Sequence, residues 1–265
     1  MKRLLILILL VLAGCREQTL PETLNSVKDS RTITDRQAET LSKVGTLFLN
    51  SLTSITNEQA ESLSTVKHLQ LNSLTSITDQ QAKSLSKVRN LELNSLTTIT
   101  DQQVESLSKV EVYLSLNGLT SITDAQAESL SKVEGSLHLN GLTTITDTQA
   151  ESLSKVDTLS LKGLTSITDL QVKSLSRVES LKLSKGLQPL IYQYKDHLNG
   201  LTSLTDQQAE SLSPVYRLRL NGLTSITNGQ AESLSTVKHL ELNSLTSITD
   251  QQAESLSTVK HLELN

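Results

Sequence analysis

The stretch LNGLTSITDAQAESLSKV, residues 116–133, recurs with small changes ten times in this chain of 265 residues. Each copy is marked by the Ala or Val that follows a constant Gln. The markers are spaced by 22 or 23 residues, apart from one interval of 37 that contains an insertion of 15. They are Ala38, Ala60, Ala82, Val104, Ala127, Ala150, Val172, Ala209, Ala231 and Ala253. A fixed period of this length is typical of solenoids, in which each repeat packs against its neighbours.

Each copy combines the hydrophobic period of a strand with that of a helix. Leu69 and Leu71 alternate with polar residues, which predicts a short strand. Ala82, Leu85 and Val88 recur at every third position, which predicts one buried face of a short helix. Because a helix separates successive strands, the strands are expected to pair in parallel.

The start of each helix is predicted by Thr-x-x-Gln, which occurs in all ten copies, as at Thr78 and Gln81. In such a capping box the Thr hydroxyl accepts from the Gln backbone amide, and the Gln side chain reaches back. Asp79 adds negative charge at the positive end of the helix dipole. One unit buries too few apolar side chains to offset the ordering of its own backbone, so the units must stack.

The framework of residues 68–79, x-L-x-L-x-x-L-x-x-I-T-D, resembles that of leucine-rich-repeat proteins, in particular the cysteine-containing subclass with Ile-Thr-Asp at this place. The resemblance covers residues 31–265. It implies an α/β solenoid with parallel strands on the concave side and short helices on the convex side. Leu52 and Leu74 occupy a turn position that the family fills with Asn or Cys, which leaves open what satisfies the turn backbone.

The exposed strand positions differ from unit to unit, as expected of a binding face. The residues before the first strand Leu are Thr46, His68, Asn90, Tyr113, Ser136, Thr158, Ser180, Arg217, His239 and His261. Those between the two Leu are Phe48, Gln70, Glu92, Ser115, His138, Ser160, Lys182, Arg219, Glu241 and Glu263. The candidate binding residues among them are Phe48, His68, Tyr113, His138, Arg217, Arg219, His239 and His261. An exposed face that carries no ligand would vary in the same way, so a passive structural spacer is the alternative.

Two rows of equivalent residues have a structural interpretation that outweighs a functional one. A nearly constant Asn follows the second strand Leu, and stacked Asn amides are expected to form a hydrogen-bonded ladder. His239 and His261, flanked by Glu241 and Glu263, occupy equivalent positions that allow a shared metal such as Zn²⁺. Because these units are nearly identical copies, duplication explains the pair, and no metal or cofactor is predicted.

The insertion at residues 184–198, SKGLQPLIYQYKDHL, is expected to protrude as a loop beside the concave face. It contains Tyr192 and Tyr194 together with Leu187, Leu190 and Ile191. Exposed Tyr and aliphatic side chains are typical of binding hot spots, which adds Tyr192 and Tyr194 to the candidate binding residues. The alternative is a tolerated insertion that folds over its own apolar residues.

The amino terminus combines a basic start, an apolar run at residues 4–12 and the tetrapeptide Leu-Ala-Gly-Cys that ends at Cys15. The run is too short to span a bilayer core of ~30 Å. The pattern resembles the lipobox of bacterial lipoproteins, which implies a signal peptide at residues 1–14 and an acylated Cys15. The residue after Cys15 is Arg16 and not Asp, which in that family favours the outer membrane. Residues 15–30 are expected to form a tether.

The chain ends in mid-unit at residues 262–265. We therefore expect either a truncated gene product or an edge that is open to end-to-end self-association.

The composition and motifs limit the function. A net charge of −4 and an aromatic content of 2% disfavour a nucleic-acid partner. We find no nucleophile elbow, phosphate loop or His-Glu helix motif, so an enzyme is not expected. The sequence predicts a membrane-anchored lipoprotein of the bacterial envelope that acts as a protein-binding, ligand-binding or adhesion module through its solenoid surface. Its expected partners are proteins or glycans, and a passive structural spacer without a specific ligand is the alternative.

Overall fold

The structure, a computed structural model, describes residues 19–213 and 215–265. Its helices are α1 Leu20–Val27, α2 Asp35–Leu41, α3 Asn57–Leu63, α4 Asp79–Leu85, α5 Asp101–Leu107, α6 Asp124–Leu130, α7 Asp147–Leu153, α8 Asp169–Leu175, α9 Gln188–Asn199, α10 Asp206–Leu212, α11 Asn228–Leu234 and α12 Asp250–Leu256. Its strands are β1 Thr46–Phe48, β2 His68–Gln70, β3 Asn90–Glu92, β4 Tyr113–Ser115, β5 Ser136–His138, β6 Thr158–Leu161, β7 Ser180–Leu183, β8 Arg217–Arg219, β9 His239–Glu241 and β10 His261–Glu263.

The strands pair in parallel and in sequence order, as predicted. They form one sheet from β1 to β7 and a second sheet from β8 to β10. The predicted equivalence of residues in successive units is confirmed within each sheet, for example Leu69 opposite Leu91 and Leu218 opposite Leu240. The interruption between β7 and β8 was not predicted, and it coincides with the insertion.

The core is built from the framework residues that the sequence pattern identified. Leu69, Leu71, Leu74, Ala82 and Leu85 are at most 1% exposed, and most of their equivalents in the other units are similarly buried. Leu181, Leu201 and Leu245 are only partly buried. The core forms two clusters, one from residue 27 to residue 191 and one from residue 198 to residue 259. The units therefore complete each other's cores, as stacking requires.

The capping box is confirmed in all ten repeat helices, α2 to α8 and α10 to α12. Its Gln has a second role that the sequence did not reveal. Gln149 Nε2 donates to the carbonyl oxygen of Ile122 in the preceding unit at 2.9 Å, while Gln149 Oε1 accepts from the Thr146 amide at 3.0 Å. The same donation links Gln103 to Ile77 and Gln252 to Ile226. In eight of the ten repeat helices the Gln thus caps its own helix and also bonds to the previous unit.

The Asn row forms a ladder, but its bonds differ from the predicted amide-to-amide contacts. In most units the Oδ1 atom of the Asn accepts a hydrogen bond from the backbone amide of the equivalent residue in the next unit. Asn72 accepts from the Asn94 amide at 3.1 Å, and Asn117 accepts from the Asn140 amide at 2.9 Å. Asn243 Oδ1 is buried and accepts no hydrogen bond. Ser73 Oγ also donates to the Asn50 carbonyl oxygen. The buried Leu of the turn, such as Leu74, has no polar side-chain atom. These bonds from Asn and Ser therefore satisfy the backbone groups of the turn.

The predicted tether at residues 15–30 is wrong for residues 20–27, which form α1. Thr19 caps this helix through a capping box with Glu22. Val27 is 3% exposed and belongs to the core, and Ser26 Oγ accepts from Gln37 Nε2 at 3.1 Å. Gln37 thereby bonds to α1, whereas the Gln of most later units bonds to the preceding repeat. The helix forms because packing against α2 buries its apolar face.

The predicted loop at residues 184–198 is also wrong, because residues 188–199 form the helix α9. Ile191 and Leu198 are buried, and the partly buried Leu187 and Tyr194 pack beside them. These four residues recur at intervals of three and four, which is the period of an amphipathic helix. The alternative of an insertion folded over its own apolar residues is closer to what is seen. The helix contacts α8 on one side and β8 on the other.

Candidate binding surface

The strand face consists of the first and third residues of each strand, while the residue between them points into the core. Strands β3 and β5 illustrate this, with Leu91 and Leu137 buried and their neighbours half-buried. The register places Asn90 beside Tyr113, and Ser115 beside His138. The predicted face residues therefore share one surface within each sheet, but Ser180 and Arg217 are not paired neighbours.

Tyr113 and His138 form the aromatic pair of the first sheet. The Tyr113 hydroxyl lies 3.0 Å from His138 Nδ1, and the rings meet edge to face at 4.8 Å between centroids. Burial raises the pKa of Tyr113. Burial, together with the charges of Lys182 and Lys162, lowers the pKa of His138. Both rings are therefore neutral at pH 7 and offer an amphipathic contact at the middle of the face.

A polar network covers the face beside this pair. Gln70 Nε2 donates to Glu92 Oε1 at 3.0 Å, and Asn72 Nδ2 donates to Glu92 Oε2 at 3.2 Å. Ser115 is fully buried, and its hydroxyl donates to Asn94 Oδ1 at 2.7 Å. These side chains are satisfied within the protein, which leaves the neighbouring aromatic groups as the freer contact points.

Phe48 is the most exposed large apolar residue of the strand face, at 62%. It lies on β1, and its partner in the register is Gln70 on β2. His68 on β2 is exposed, and its Nε2 atom lies 3.3 Å from the side-chain Nδ2 atom of Asn90. The structure thus leaves Phe48 and His68 accessible, as predicted, at the end of the face that is remote from the insertion.

Arg217 and Arg219 flank one buried carboxylate in the second sheet. Arg219 Nε donates to Glu241 Oε1 at 2.9 Å, and Arg217 donates to the same oxygen through a terminal nitrogen at 3.3 Å. Burial alone would raise the pKa of Glu241, but the two guanidinium groups outweigh it and the pKa is lowered. Both arginines remain exposed, so part of each guanidinium faces solvent.

Tyr216, His239 and His261 form a row of rings next to these arginines. The His239 and His261 rings stack at 4.2 Å with an interplanar angle of 11°, and Tyr216 lies 5.1 Å from His239. Burial, the neighbouring His261 and Arg217 together lower the pKa of His239. Among the described residues, no group of three or more His, Cys, Asp or Glu side chains is placed to hold a metal ion.

The two tyrosines of the insertion have different environments. Tyr192 is 58% exposed, whereas Tyr194 is half-buried and packs against both core clusters. Tyr192 lines a cleft of about 250 Å³ between α9 and β8, together with Arg217 and Arg219. We call it the α9–β8 cleft. Three predicted residues thus meet at one site, while Tyr194 joins the two halves of the core.

Sequence reasoning did not identify Lys195 and Leu198, which also line this cleft. The signal for them was present in the helical period of the insertion. A helix over residues 188–199 places Lys195 three residues after Tyr192 on the same face. Reading the insertion as a loop concealed this relationship.

Cys15 and the predicted signal peptide at residues 1–14 lie outside the described residues. Across residues 19–213 and 215–265, no helix combines the length and the apolar character needed to cross a membrane.

The registered parallel strands, the capped helices and the ladders between units define an α/β leucine-rich-repeat solenoid. No protein-family model matches the chain, and no curated protein matches it in sequence. Among solved structures, an internalin (inlF) from Listeria monocytogenes is 16% identical, with 94% of this chain and 89% of that chain covered and a TM-score of 0.40. An internalin C2 (inlC2) from the same organism is 18% identical, with 80% and 84% covered and a TM-score of 0.32.

Proposed function

We propose that the protein is a lipid-anchored lipoprotein of the bacterial cell envelope, in the outer membrane, whose strand face binds a protein or glycan partner. The proposal is supported by a contrast between two sets of residues, namely the constant residues that hold the units together and the variable residues of the strand face. Constant Thr, Gln and Asn residues link the units, as Gln149 links to Ile122. The face positions instead vary along the chain, and they include the exposed Phe48 and the Tyr113–His138 pair.

The anchor is proposed from the sequence alone, because Cys15 ends a tetrapeptide that resembles a lipobox. One acyl chain binds a membrane only marginally, whereas two or more anchor stably. Metabolic labelling with a lipid precursor tests this in the wild type and in Cys15→Ala. We expect label in the first and none in the second. Equal labelling of both proteins contradicts acylation at Cys15.

Partner binding is tested by cross-linking pull-down from envelope extracts with matched variants. Phe48→Ala removes an exposed apolar side chain from the strand face, and Leu170→Ala removes one of equal exposure, 62%, from a helix. We expect Phe48→Ala to lose a captured partner that Leu170→Ala retains. Tyr113→Ala is expected to reduce capture as well. Equal capture by all three variants contradicts binding through the strand face.

The passive spacer is the second candidate, and one observation favours it. Much of the face is hydrogen-bonded within the protein, as by Gln70 to Glu92 and by the buried Ser160 to Asn140 at 2.8 Å. A spacer needs no partner for these groups. The pull-down separates the two functions, because a spacer captures no partner that strand-face variants lose. Self-association through the outer edge of β10 stays a prediction.

A further inference from the structure

The α9–β8 cleft forms where the insertion interrupts the sheet. The helix α9 contributes Tyr192, Lys195 and Leu198 to its wall, and β8 contributes Arg217 and Arg219. Its volume of about 250 Å³ is slightly below the ~300–1,000 Å³ of common small-molecule sites. The cleft is therefore the size of a site for one small group, not of a protein docking groove.

Lys195 is the unusual residue of this cleft. It is half-buried, and among the described residues its Nζ atom has no hydrogen-bond or ion-pair partner. Burial and the neighbouring Arg217 lower the pKa of Lys195. Partial burial of an unpaired charge costs stability, and such groups concentrate at functional sites. An anionic ligand would supply the missing partner.

The charges around the cleft fit a single negative charge. Lys195, Arg217 and Arg219 are cationic, while Asp196 in the wall and the adjoining Glu241 are anionic, which leaves one positive charge. Each arginine shares Glu241 Oε1, and a guanidinium has five N–H donors, so donors remain for a ligand. A carboxylate matches this excess better than a phosphate dianion does.

The remaining wall of the cleft is apolar. Leu198, Val215 and Leu218 line it beside the ring of Tyr192. Apolar surface next to a few convergent polar groups is the usual composition of a small-molecule site. The apolar part of the wall fits an aliphatic segment of the ligand that lies next to its anionic group.

We propose that the α9–β8 cleft binds a monoanionic carboxylate that carries a short aliphatic segment, with Lys195, Arg217 and Arg219 as the groups that contact the carboxylate. Two sources share this chemistry, namely a peptide carboxyl terminus with an aliphatic last residue and a free branched-chain carboxylic acid. The proposal goes beyond the proposed function, because it names a ligand class for a cleft whose binding is measured without an envelope partner.

Isothermal titration of the full chain in detergent tests the proposal with N-acetyl-leucine, N-acetyl-leucinamide, 4-methylpentanoate and inorganic phosphate. We expect N-acetyl-leucine to bind at least tenfold more tightly than its neutral amide. Binding of 4-methylpentanoate as tight as that of N-acetyl-leucine assigns the free acid, and weaker binding assigns the peptide terminus. No binding of either carboxylate, or tighter binding of phosphate, overturns the proposal.

Variants locate the site. Lys195→Met is expected to weaken N-acetyl-leucine binding at least tenfold, whereas Lys185→Met, on the same insertion and outside the cleft wall, leaves it unchanged. Lys195→Met should also raise the Tm, because it removes an unpaired, half-buried charge. A lowered Tm, or unchanged binding, contradicts the role of Lys195.

A last variant keeps the two proposals distinguishable. Phe48→Ala lies on β1, away from the cleft, and is expected to bind N-acetyl-leucine as the wild type does. If Phe48→Ala loses no envelope partner while the wild type binds N-acetyl-leucine, the strand-face function fails and the cleft stands. If partner capture depends on Phe48 and the wild type binds no carboxylate, only the proposal for the α9–β8 cleft is contradicted.

Discussion

The backbone amide of Leu183 donates to the side-chain Oε1 of Gln188 at 2.8 Å, at the edge where the first sheet ends. In other units the equivalent amide donates to the next strand, as Leu139 does to the Ser160 carbonyl oxygen at 2.9 Å. The first residue of α9 thus replaces a missing strand. An unpaired strand edge is a template for aggregation, and this bond covers part of it.

Gln188→Ala is expected to lower the free energy of unfolding by about 1–3 kcal/mol, because it leaves the Leu183 amide without its acceptor. Urea denaturation of the two proteins measures the difference. Gln193→Ala is the matched control, since Gln193 lies on the same helix with an exposed side chain. Equal stability of the two variants would show that the bond to Leu183 contributes nothing.

The regular part of the fold was predictable because its determinants are local and repeated. Thr78 and Gln81 define a helix start within four residues, and Leu69 and Leu71 define a strand within three. Ten copies of the same signal leave little room for another interpretation. The resulting strand equivalences, such as Asn90 with Tyr113, follow from the period alone.

The interruption was not predictable because it depends on contacts between distant segments. The insertion has a helical period at Leu187, Ile191, Tyr194 and Leu198, but the sequence does not show that its helix lies against β8. The α9–β8 cleft exists only through that contact. Lys195 accordingly had no visible role, although Tyr192, Arg217 and Arg219 were identified.

The Gln of the capping box is expected to contribute more to stability than a cap alone. Gln103→Ala removes the bond to the Thr100 amide at 3.0 Å and the buried bond to the Ile77 carbonyl oxygen at 2.8 Å. A cap contributes ~1 kcal/mol, and an unsatisfied buried group costs ~1–3 kcal/mol, so a total loss of about 2–4 kcal/mol is expected.

The neighbouring Gln102 supplies the control for this variant, because its side chain is exposed on the same helix turn. Gln102→Ala should change the unfolding free energy by less than about 0.5 kcal/mol, as do most surface substitutions. Thermal or urea unfolding of both variants checks the contrast. A loss of only ~1 kcal/mol in Gln103→Ala would mean that the link to the preceding unit adds no stability.

Gly135 marks a place where two units approach closely. A Cβ atom at this position would collide with the backbone of Val112, whereas a Cβ atom at the equivalent Gly45 would meet nothing within 4 Å. Gly135→Ala is therefore expected to destabilise the protein by about 1–3 kcal/mol through backbone displacement. Gly45→Ala should be neutral or slightly stabilising, since Ala restricts the unfolded chain. Denaturation midpoints of the two variants test this, and equal shifts would contradict the close approach.

The half-buried position of His138 predicts that stability falls as the pH is lowered. Its pKa is lowered in the folded state by burial and by Lys182 and Lys162, while Glu92 opposes this and Tyr113 occupies its Nδ1 atom. As the pH falls through the ordinary pKa of about 6.5, His138 therefore takes up a proton in the unfolded chain before it does so in the folded protein. The stability that is present above this pH is lost as the pH falls toward the folded-state pKa.

His138→Gln keeps a polar side chain of similar reach and removes this titration. We expect its unfolding free energy to fall less steeply between pH 7 and pH 5 than that of the wild type. The uptake of one proton changes the unfolding free energy by at most ~1.4 kcal/mol per pH unit. The difference in slope between the two proteins should stay below this value, because solvent screens a half-buried group. His239, whose pKa is also lowered, contributes equally to both proteins. Parallel pH profiles from urea denaturation would show that His138 is not titrated in this range.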